Sequence, residues 1–466
     1  MAFLKLDLEK IKNKILLSAE IEKKTRVIKK GKDFWCCCLF HEEKTPSCKI
    51  DDDRGSFYCF GCGAKGDIFT LYTDLYNYSF LDAISYLSER VGIKLELTDN
   101  KKTKEENVVK KILLATSNWF IKNLSESGAT LCRKYLKERG LSQPTIDNFK
   151  LGYSYNSNTT LYKYLKSLSF EEKDIIKSNV VKIDKNNKIK DYFYKRLIFP
   201  IINERNTIVG FGGRALDDSN PKYINSPDSN FFRKRKLLYN LAEAKHVARK
   251  KNNLLICEGY MDVISLYQNG IQSVVAPLGT ALTEEQLILA WKYSSKPTIM
   301  FDGDKAGLRA SFKSALMSLP LITSKRFLQF VTLNEGYDPD SFINTFSFNK
   351  FLEIVKKPQP LVNFIFNESS KVISLVNADE KISFDRYLDE IIATIKDKKI
   401  NYFYKSEIKS LFFNKIKQQR NKTFNKLSVL KKIDSSLYKK QILSFIAGYI
   451  NHQSVRKKLL KEFSRI

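Results

Sequence analysis

Apolar positions fall in short closed runs through the middle of the chain and at helical spacing between them. Residues 254–257, LLIC, form an apolar run that stops on Glu258-Gly259. A short apolar run closed by glycine reads as a buried strand. Residues 260–268 then repeat apolar positions at helical spacing, with Gly270 placed to cap a helix. A second strand is predicted over 273–276, ending at Pro277-Leu278-Gly279-Thr280. Thr283, followed by Glu285-Gln286, suits the start of another helix. A third strand, 298–301, ends on Asp302-Gly303-Asp304. Strand, helix, strand, helix, strand is the pattern of a parallel sheet.

Outside this block the pattern divides the chain. Residues 4–28 carry apolar positions at helical spacing among many lysines, which predicts an amphipathic helix or helix pair ended by Gly31. Residues 67–92 read as further helices. The stretch 98–107, TDNKKTKEEN, is charged and nearly free of apolar residues, and reads as a linker. Residues 108–150 are helical by spacing. Residues 196–216, RLIFPIINERNTIVGFGGRAL, read as two strands around a turn at 203–206. Gly210-Phe211-Gly212-Gly213 there brings the backbone close to a neighbour or makes a bulge. Beyond Asp340 the chain is helical and lysine-rich.

Composition adds a partner and a compartment. The 466 residues have room for roughly two to four domains. Lys and Arg number 80 against 51 Asp and Glu, a formal net charge of +29. Such an excess points to a polyanionic partner, nucleic acid ahead of an anionic membrane surface. The opening MAFLKLDLEK has no apolar core of a signal peptide, and no apolar run reaches the length of a membrane span. A cytoplasmic protein without a membrane partner is expected. The crowding of cysteines from Cys36 to Cys62 favours a metal site over disulfides.

Two kinds of candidate chemistry emerge. Cys38-x2-His41 and Cys59-x2-Cys62 are paired metal knuckles. Two-residue spacing lets both side chains of a knuckle face one ion, and three cysteines with a histidine are a common structural zinc set. Cys36 and Cys37 compete with Cys38, which alone gives this spacing to His41. His246 and His452 lack such company and read as surface residues. Phe57, Tyr58 and Phe60, with Lys44, Lys49, Arg54 and Lys65, suit stacking and phosphate contacts with single-stranded DNA. An aromatic stripe of this kind also serves as the support of a small ribbon. Glu258, Asp302 and Asp304 form the second candidate, because all fall just past predicted strand ends, the edge where open α/β sheets bind ligands. Carboxylates gathered there repel one another unless a cation sits among them. Oxygen ligands without Cys or His suit Mg²⁺ or Mn²⁺. Taken alone, Asp-Gly-Asp is also an ordinary turn.

At these residues a family becomes visible. Residues 258–262, EGYMD, and 302–307, DGDKAG, closely resemble the two signature motifs of the Toprim domain of bacterial DNA primases of the DnaG type. Residues 333–340, LNEGYDPD, resemble the third primase motif, with Asp338-Pro339-Asp340. The knuckles resemble the family's CHC2-type zinc-binding domain, with Leu39 where the family has Pro and Cys48 where it usually has Phe. Cys48 is therefore read as core. Residues 135–142, YLKERGLS, resemble a segment of the polymerase core. Residues 210–214, GFGGR, 221–227, PKYINSP, and Lys234 resemble its basic motif, from which Arg235 departs.

The resemblance implies a multidomain α+β chain: an N-terminal zinc ribbon, a polymerase core containing a Toprim α/β parallel sheet, and a C-terminal helical bundle. The expected limits are a zinc-binding domain over 1–97 with its finger at 38–62, the linker at 98–107 and the N-terminal part of the core over 108–251. The Toprim domain follows over 252–334, then a helical part of the core over 335–429, opened by PQPLVNFIF at 358–366, and a helical tail over 430–466. The resemblance is strong over about 1–345 and weak beyond. It implies a nucleotidyltransferase that makes short RNA primers on single-stranded DNA from nucleoside triphosphates. One structural zinc would sit on Cys38, His41, Cys59 and Cys62. About two catalytic Mg²⁺ or Mn²⁺ ions would sit among Glu258, Asp302, Asp304, Asp338 and Asp340. Glu258 is a ligand or the base, and Asp262 supports it from one helical turn away. Arg214, Lys222, Asn225 and Lys234 would contact nucleotide and template phosphates. A monomer is expected, and the shortness of the tail weighs against tight docking on a replicative helicase. Two other readings compete: a Toprim nuclease or topoisomerase using the same acids, and a zinc-containing DNA-binding protein without catalysis.

Overall fold

The computed structural model describes the chain except for residues 1, 4, 77, 79, 94–96, 99–100, 156–158, 280, 373–376, 433–439, 442, 445, 449–450, 455 and 458–466. It divides into two compact units, Met1–Ile365 with Ile395–Asp397, and Phe366–Thr394 with Lys398–Ile466.

The first unit begins with two helices, Lys5–Lys14 and Leu17–Glu22, the pair expected from the spacing. The helical reading of 4–28 fails at its end, because Val27–Lys30 is a strand. Gly31, at φ +63°, turns the chain into the next strand, Asp33–Cys36, and does not end a helix. These strands open a five-stranded antiparallel meander that continues through Cys48–Asp51, Ser56–Cys59 and Lys65–Asp67. Ile50, Phe57, Leu71 and Leu87 are buried between this sheet and the helices Ile68–Leu75 and Phe80–Arg90. Arg249 ties the ribbon domain to the rest of the unit. It pairs with Asp74 at 2.9 Å and lies over the rings of Phe40 and Tyr293.

Helix Lys101–Ser125 starts inside the stretch expected to be a linker. The lysines and glutamates of KKTKEE at 101–106 are good helix formers, so the segment can extend a helix despite its lack of apolar residues. A four-stranded antiparallel sheet packs beside it. Its central hairpin, Arg196–Ile202 with Ile208–Ala215, turns at 203–206 as the sequence predicts. The glycines of 210–213 mark close packing, and the register irregularity lies at Ile201/Ile202 instead. Gly212 lies under Tyr260, whose ring stacks on Phe199 at 4.9 Å and meets Tyr239 edge-on at 4.7 Å.

The six-stranded sheet at the centre is built as the apolar pattern requires. Leu255–Ile256 pairs in parallel with Val274–Pro277 on one side and Thr298–Ile299 on the other, and Gln329–Phe330 extends the parallel order. Short antiparallel strands, Leu238–Tyr239 and Gln359–Pro360, close its two edges. Helix Tyr260–Gln268 spans the predicted residues. Thr283 and Gln286 form a reciprocal cap on helix Glu284–Ala290.

In the second unit, helices Ala378–Ala393 and Lys398–Lys432 pack through Phe384, Leu388, Ile392, Ile408 and Phe412. Lys409 bridges Asp385 and Asp389 between them. Much of the tail expected over 430–466 lies outside the described residues. Among the described residues, no helix is long and apolar enough to cross a membrane.

The packing at Gly212 is testable. A Cβ added there would stand 2.8 Å from the Tyr260 ring. Gly212→Ala should therefore lower stability by about 1–3 kcal/mol through overpacking. Urea unfolding reads this directly, and an unchanged midpoint would show that Tyr260 has room to move.

Candidate active site and metal centre

The ribbon brings Cys38, His41, Cys59 and Cys62 together, with their ligand atoms all within 4.8 Å of one another. Cys36 and Cys37 do not join this group. The Sγ atoms of Cys38 and Cys62 are 3.7 Å apart, as are Cys59 Sγ and His41 Nδ1. A tetrahedral zinc with Zn–S bonds near 2.3 Å sets its ligand atoms roughly 3.7 Å apart, so the cluster fits this ion. Hydrogen bonds from Cys38 and Cys62 push the Cys59 thiol far below its usual range, towards the thiolate that a metal needs.

Glu43 organises the site and was not singled out from the sequence. Its carboxylate meets His41 Nε2 at 3.1 Å and accepts from the amides of Cys38 at 2.7 Å and Ser47 at 3.2 Å. Burial opposes its charge, but bonds from Ser47 and Cys38 still hold it below the usual carboxylate range. It thereby leaves Nδ1 of His41 to face the sulfurs. A carboxylate two residues after a ligand histidine was the available signal. Cys48 is buried as expected and stands in register between Cys36 and Cys59 on neighbouring strands.

The aromatic stripe divides in two. Phe57 is buried and stacks on Phe40, so it supports the ribbon. Tyr58 and Phe60 are exposed, and Phe60 stacks on Trp35 at 5.7 Å. Lys30 lies over the Trp35 ring. This face combines open rings with cations.

The acids are neighbours at the carboxyl edge of the central sheet, coupled electrostatically, but among the described residues they do not form a close ligand cluster like that of Cys38, His41, Cys59 and Cys62. Glu258 follows strand Leu255–Ile256, and Asp302 and Asp304 follow Thr298–Ile299. Asp304 caps helix Lys305–Ser318, accepting from Ala306 N at 2.9 Å and Gly307 N at 2.7 Å through one oxygen. Gly307 is required there, since a Cβ would lie 2.3 Å from the Asp302 carbonyl oxygen. Gly303 N donates to Tyr337 O at 2.9 Å, which ties this loop to the one carrying Asp338. Asp338 caps helix Pro339–Phe346 through Ser341. Asp262 is buried and accepts from Gly259 N at 3.0 Å.

Crowding marks this group electrostatically. Burial, then repulsion from Glu258, Asp338 and Asp304, pushes the Asp302 carboxyl up to about 7. Burial and Asp304 raise Glu258. Burial raises Asp262 well above the carboxylate range, reinforced by Asp302 and Asp338. Oδ1 of Asp302 is buried and, among the described residues, has no hydrogen-bond partner. An orphaned carboxylate oxygen amid other acids fits a hard divalent cation. Asp340 sits differently. It is 3% exposed, and its Oδ2 is 2.7 Å from Nη1 of Arg139, a residue that sequence reasoning did not place in the site.

The basic candidates are scattered by role. Arg214 is buried, packs over the Tyr135 ring at 4.1 Å, and leaves its Nε without a partner among the described residues. Asn225 donates to Leu278 O at 2.7 Å and accepts from the Tyr260 hydroxyl, so it braces the loop beside the acids. Lys222 and Lys234 are exposed. His246 departs from its expected surface setting. Its Nε2 is buried without a partner among the described residues, and burial with Lys245 lowers its pKa to about 4. His452 is exposed as expected.

Three stretches of the chain match known families. Residues 4–103 match the CHC2 zinc finger, 119–245 the N-terminal domain of the DNA primase catalytic core, and 255–343 a Toprim-like domain. A DNA primase of Rickettsia felis is 32% identical over 434 residues, covering 92% of this chain and 72% of the relative. A DNA primase of Clostridium acetobutylicum is 34% identical over 383 residues, 80% of this chain and 62% of the relative. The crystal structure of the Aquifex aeolicus primase, comprising zinc-binding and RNA polymerase domains, covers 88% of this chain and 97% of its own. It is 29% identical, with a TM-score of 0.59. A DnaG primase catalytic domain bound to single-stranded DNA is also 29% identical, with a TM-score of 0.60 over 66% of this chain and 99% of that one.

Two substitutions test the zinc centre. Purified protein should carry about one zinc per chain, and Cys59→Ser should lose it and destabilise the ribbon domain. Glu43→Gln should keep the fold but weaken zinc by about 10–100-fold, the usual cost of losing such a support. Competition with a chromophoric chelator measures both, and wild-type affinity in Glu43→Gln would remove Glu43 from the account.

Proposed function

The chain belongs to the DnaG-type DNA primase family, and on that premise we propose that it makes short RNA primers on single-stranded DNA by metal-assisted nucleotidyl transfer. In this reaction a 3′-hydroxyl attacks the α-phosphate of a nucleoside triphosphate and pyrophosphate leaves. The observation that carries the reading is the Asp302 oxygen that has no partner among the described residues, buried near Glu258, Asp304 and Asp338.

Glu258, Asp302, Asp304 and Asp338 would hold Mg²⁺ or Mn²⁺. When bound, such ions activate the attacking hydroxyl and stabilise the leaving oxygens. The chain's own residues do the positioning. Gly303 and Gly307 allow the Asp302 loop to close against its neighbours. Asp262 stiffens the turn after Glu258 through Gly259, and its burial keeps water from that side of the site. Glu258 is half-buried with a raised carboxyl, which suits a ligand that also accepts the hydroxyl proton. Lys222 and Lys234 are exposed and would meet phosphates, while Arg214 packs on Tyr135 and Asn225 braces the loop at Leu278. Tyr58, Phe60 and Trp35 offer rings on which template bases stack, with Lys30 beside them for the backbone. The net charge of +29 favours such a template. The zinc is structural in this reading, since its protein ligands leave no open position for a substrate.

The test supplies single-stranded DNA, nucleoside triphosphates and Mg²⁺. Wild-type protein should yield short RNA products. Asp302→Ala should abolish them and, with binding measured in the absence of divalent cations, leave single-stranded DNA affinity unchanged or slightly higher, because only a negative charge is then lost. Nicked DNA would identify a nuclease instead, a bare gel shift would identify a binding protein, and full activity in Asp302→Ala would reduce Asp-Gly-Asp to a turn.

A further inference from the structure

Asp340 belongs to the same acid group by sequence, yet its environment is unlike that of the others. Its side chain is buried at the start of helix Pro339–Phe346. Oδ2 is held by Arg139 at 2.7 Å, and Oδ1 lies 3.4 Å from Asn344 Nδ2. Among the described residues this is the one ion pair that reaches the acids. Asp302, by contrast, has an oxygen with no hydrogen-bond partner among the described residues.

Arg139 is well fixed for this part. It ends helix Thr130–Glu138, and its guanidinium lies over the ring of Tyr135, one turn earlier, at 5.5 Å. Arg214 packs on the same ring at 4.1 Å. Two guanidinium groups near one ring repel, so an anion on the far side of Arg139 stabilises the arrangement. Asp340 supplies that anion. The Arg139 cation already offsets the charge of Asp340, so Asp340 draws a cation less than an unpaired carboxylate does, and turning Oδ2 towards a metal would break a buried pair and leave a charge uncompensated.

We propose that Arg139 holds Asp340 out of the metal's coordination set in the nucleotide-free enzyme, and so decides whether Asp340 is a ligand. Glu258, Asp302, Asp304 and Asp338 would then be the residues that first hold the metal. Arg139 is a positioning residue: it acts through Asp340 and touches no metal. This inference rests on the metal reading of the acids given above.

The test is a Mn²⁺ titration of the zinc-loaded full chain without nucleotide, following the paramagnetic resonance of free Mn²⁺. The binding scored is that removed by Asp302→Ala. Asp340→Asn should bind Mn²⁺ within about twofold of wild type, since Asp340 is not a ligand in this state. Arg139→Gln should bind Mn²⁺ about tenfold tighter, because a buried unpaired carboxylate then seeks the ion. The gain should vanish in the Arg139→Gln/Asp340→Asn double variant, and Arg139→Lys, which keeps a cation, should behave like wild type. A tenfold loss in Asp340→Asn, or unchanged binding in a folded Arg139→Gln, would overturn the inference alone. Should Arg139→Gln fail to fold by circular dichroism, Asp340→Asn, which keeps Arg139, still decides. No Mn²⁺ binding by wild type would overturn the metal reading, and this inference with it.

Discussion

Repulsion among carboxylates at one end of a sheet is the constraint on which the rest of this structure turns. Two like unit charges repel by about 4 kcal/mol at roughly 4 Å and an effective dielectric near 20, and by less in proportion as they separate. A whole domain is stable by only about 5–15 kcal/mol. Bringing Glu258, Asp302, Asp304 and Asp338 together therefore needs a rigid scaffold. The parallel strands fix where their loops emerge. Helix caps at Asp304 and Asp338 use backbone N–H groups to hold two of the acids. Gly303 and Gly307 let those loops approach without a side chain between them. Burial first, and repulsion among the acids behind it, raises the Asp302 and Glu258 carboxyls, and this is the strain that remains. A divalent cation removes that strain, which is why the chemistry of the site follows from its electrostatics.

The ribbon is the complementary case. There the sulfurs are held near tetrahedral spacing by two tight knuckles, and Glu43 fixes the histidine from behind. The two centres differ in what they leave open. The ribbon's four ligands would close around an ion, with Tyr58 and Phe60 exposed on the same ribbon, whereas Glu258 is only half-buried and Asp302 keeps an oxygen without a partner among the described residues. One centre suits grip on a strand of nucleic acid, and the other suits chemistry on phosphate.

Much of this was legible because local signals and tertiary packing agree. Helix Tyr260–Gln268 has clear apolar spacing, and Thr283 with Gln286 is a strong start signal. The zinc knuckles declare themselves through spacing alone. What stayed hidden depends on distant partners. Arg139 and Asp340 are 201 residues apart, and no local pattern joins them. The strand Val27–Lys30 carries only Val and Ile before two lysines, and pairing with Asp33–Cys36 decides its form. The lysine-rich start of helix Lys101–Ser125 has too few apolar residues to show a period, so charge patterning misled. His246 gave no sign of burial, because the packing around it comes from elsewhere in the fold.

The most direct measurement is anomalous diffraction from crystals of the chain soaked in Mn²⁺, with data collected at the manganese edge. The account predicts an anomalous peak within bonding distance of Asp302 and Asp304, with Glu258 beside it. Clean density for the carboxylates with no peak among them, or manganese bound only elsewhere, would contradict it.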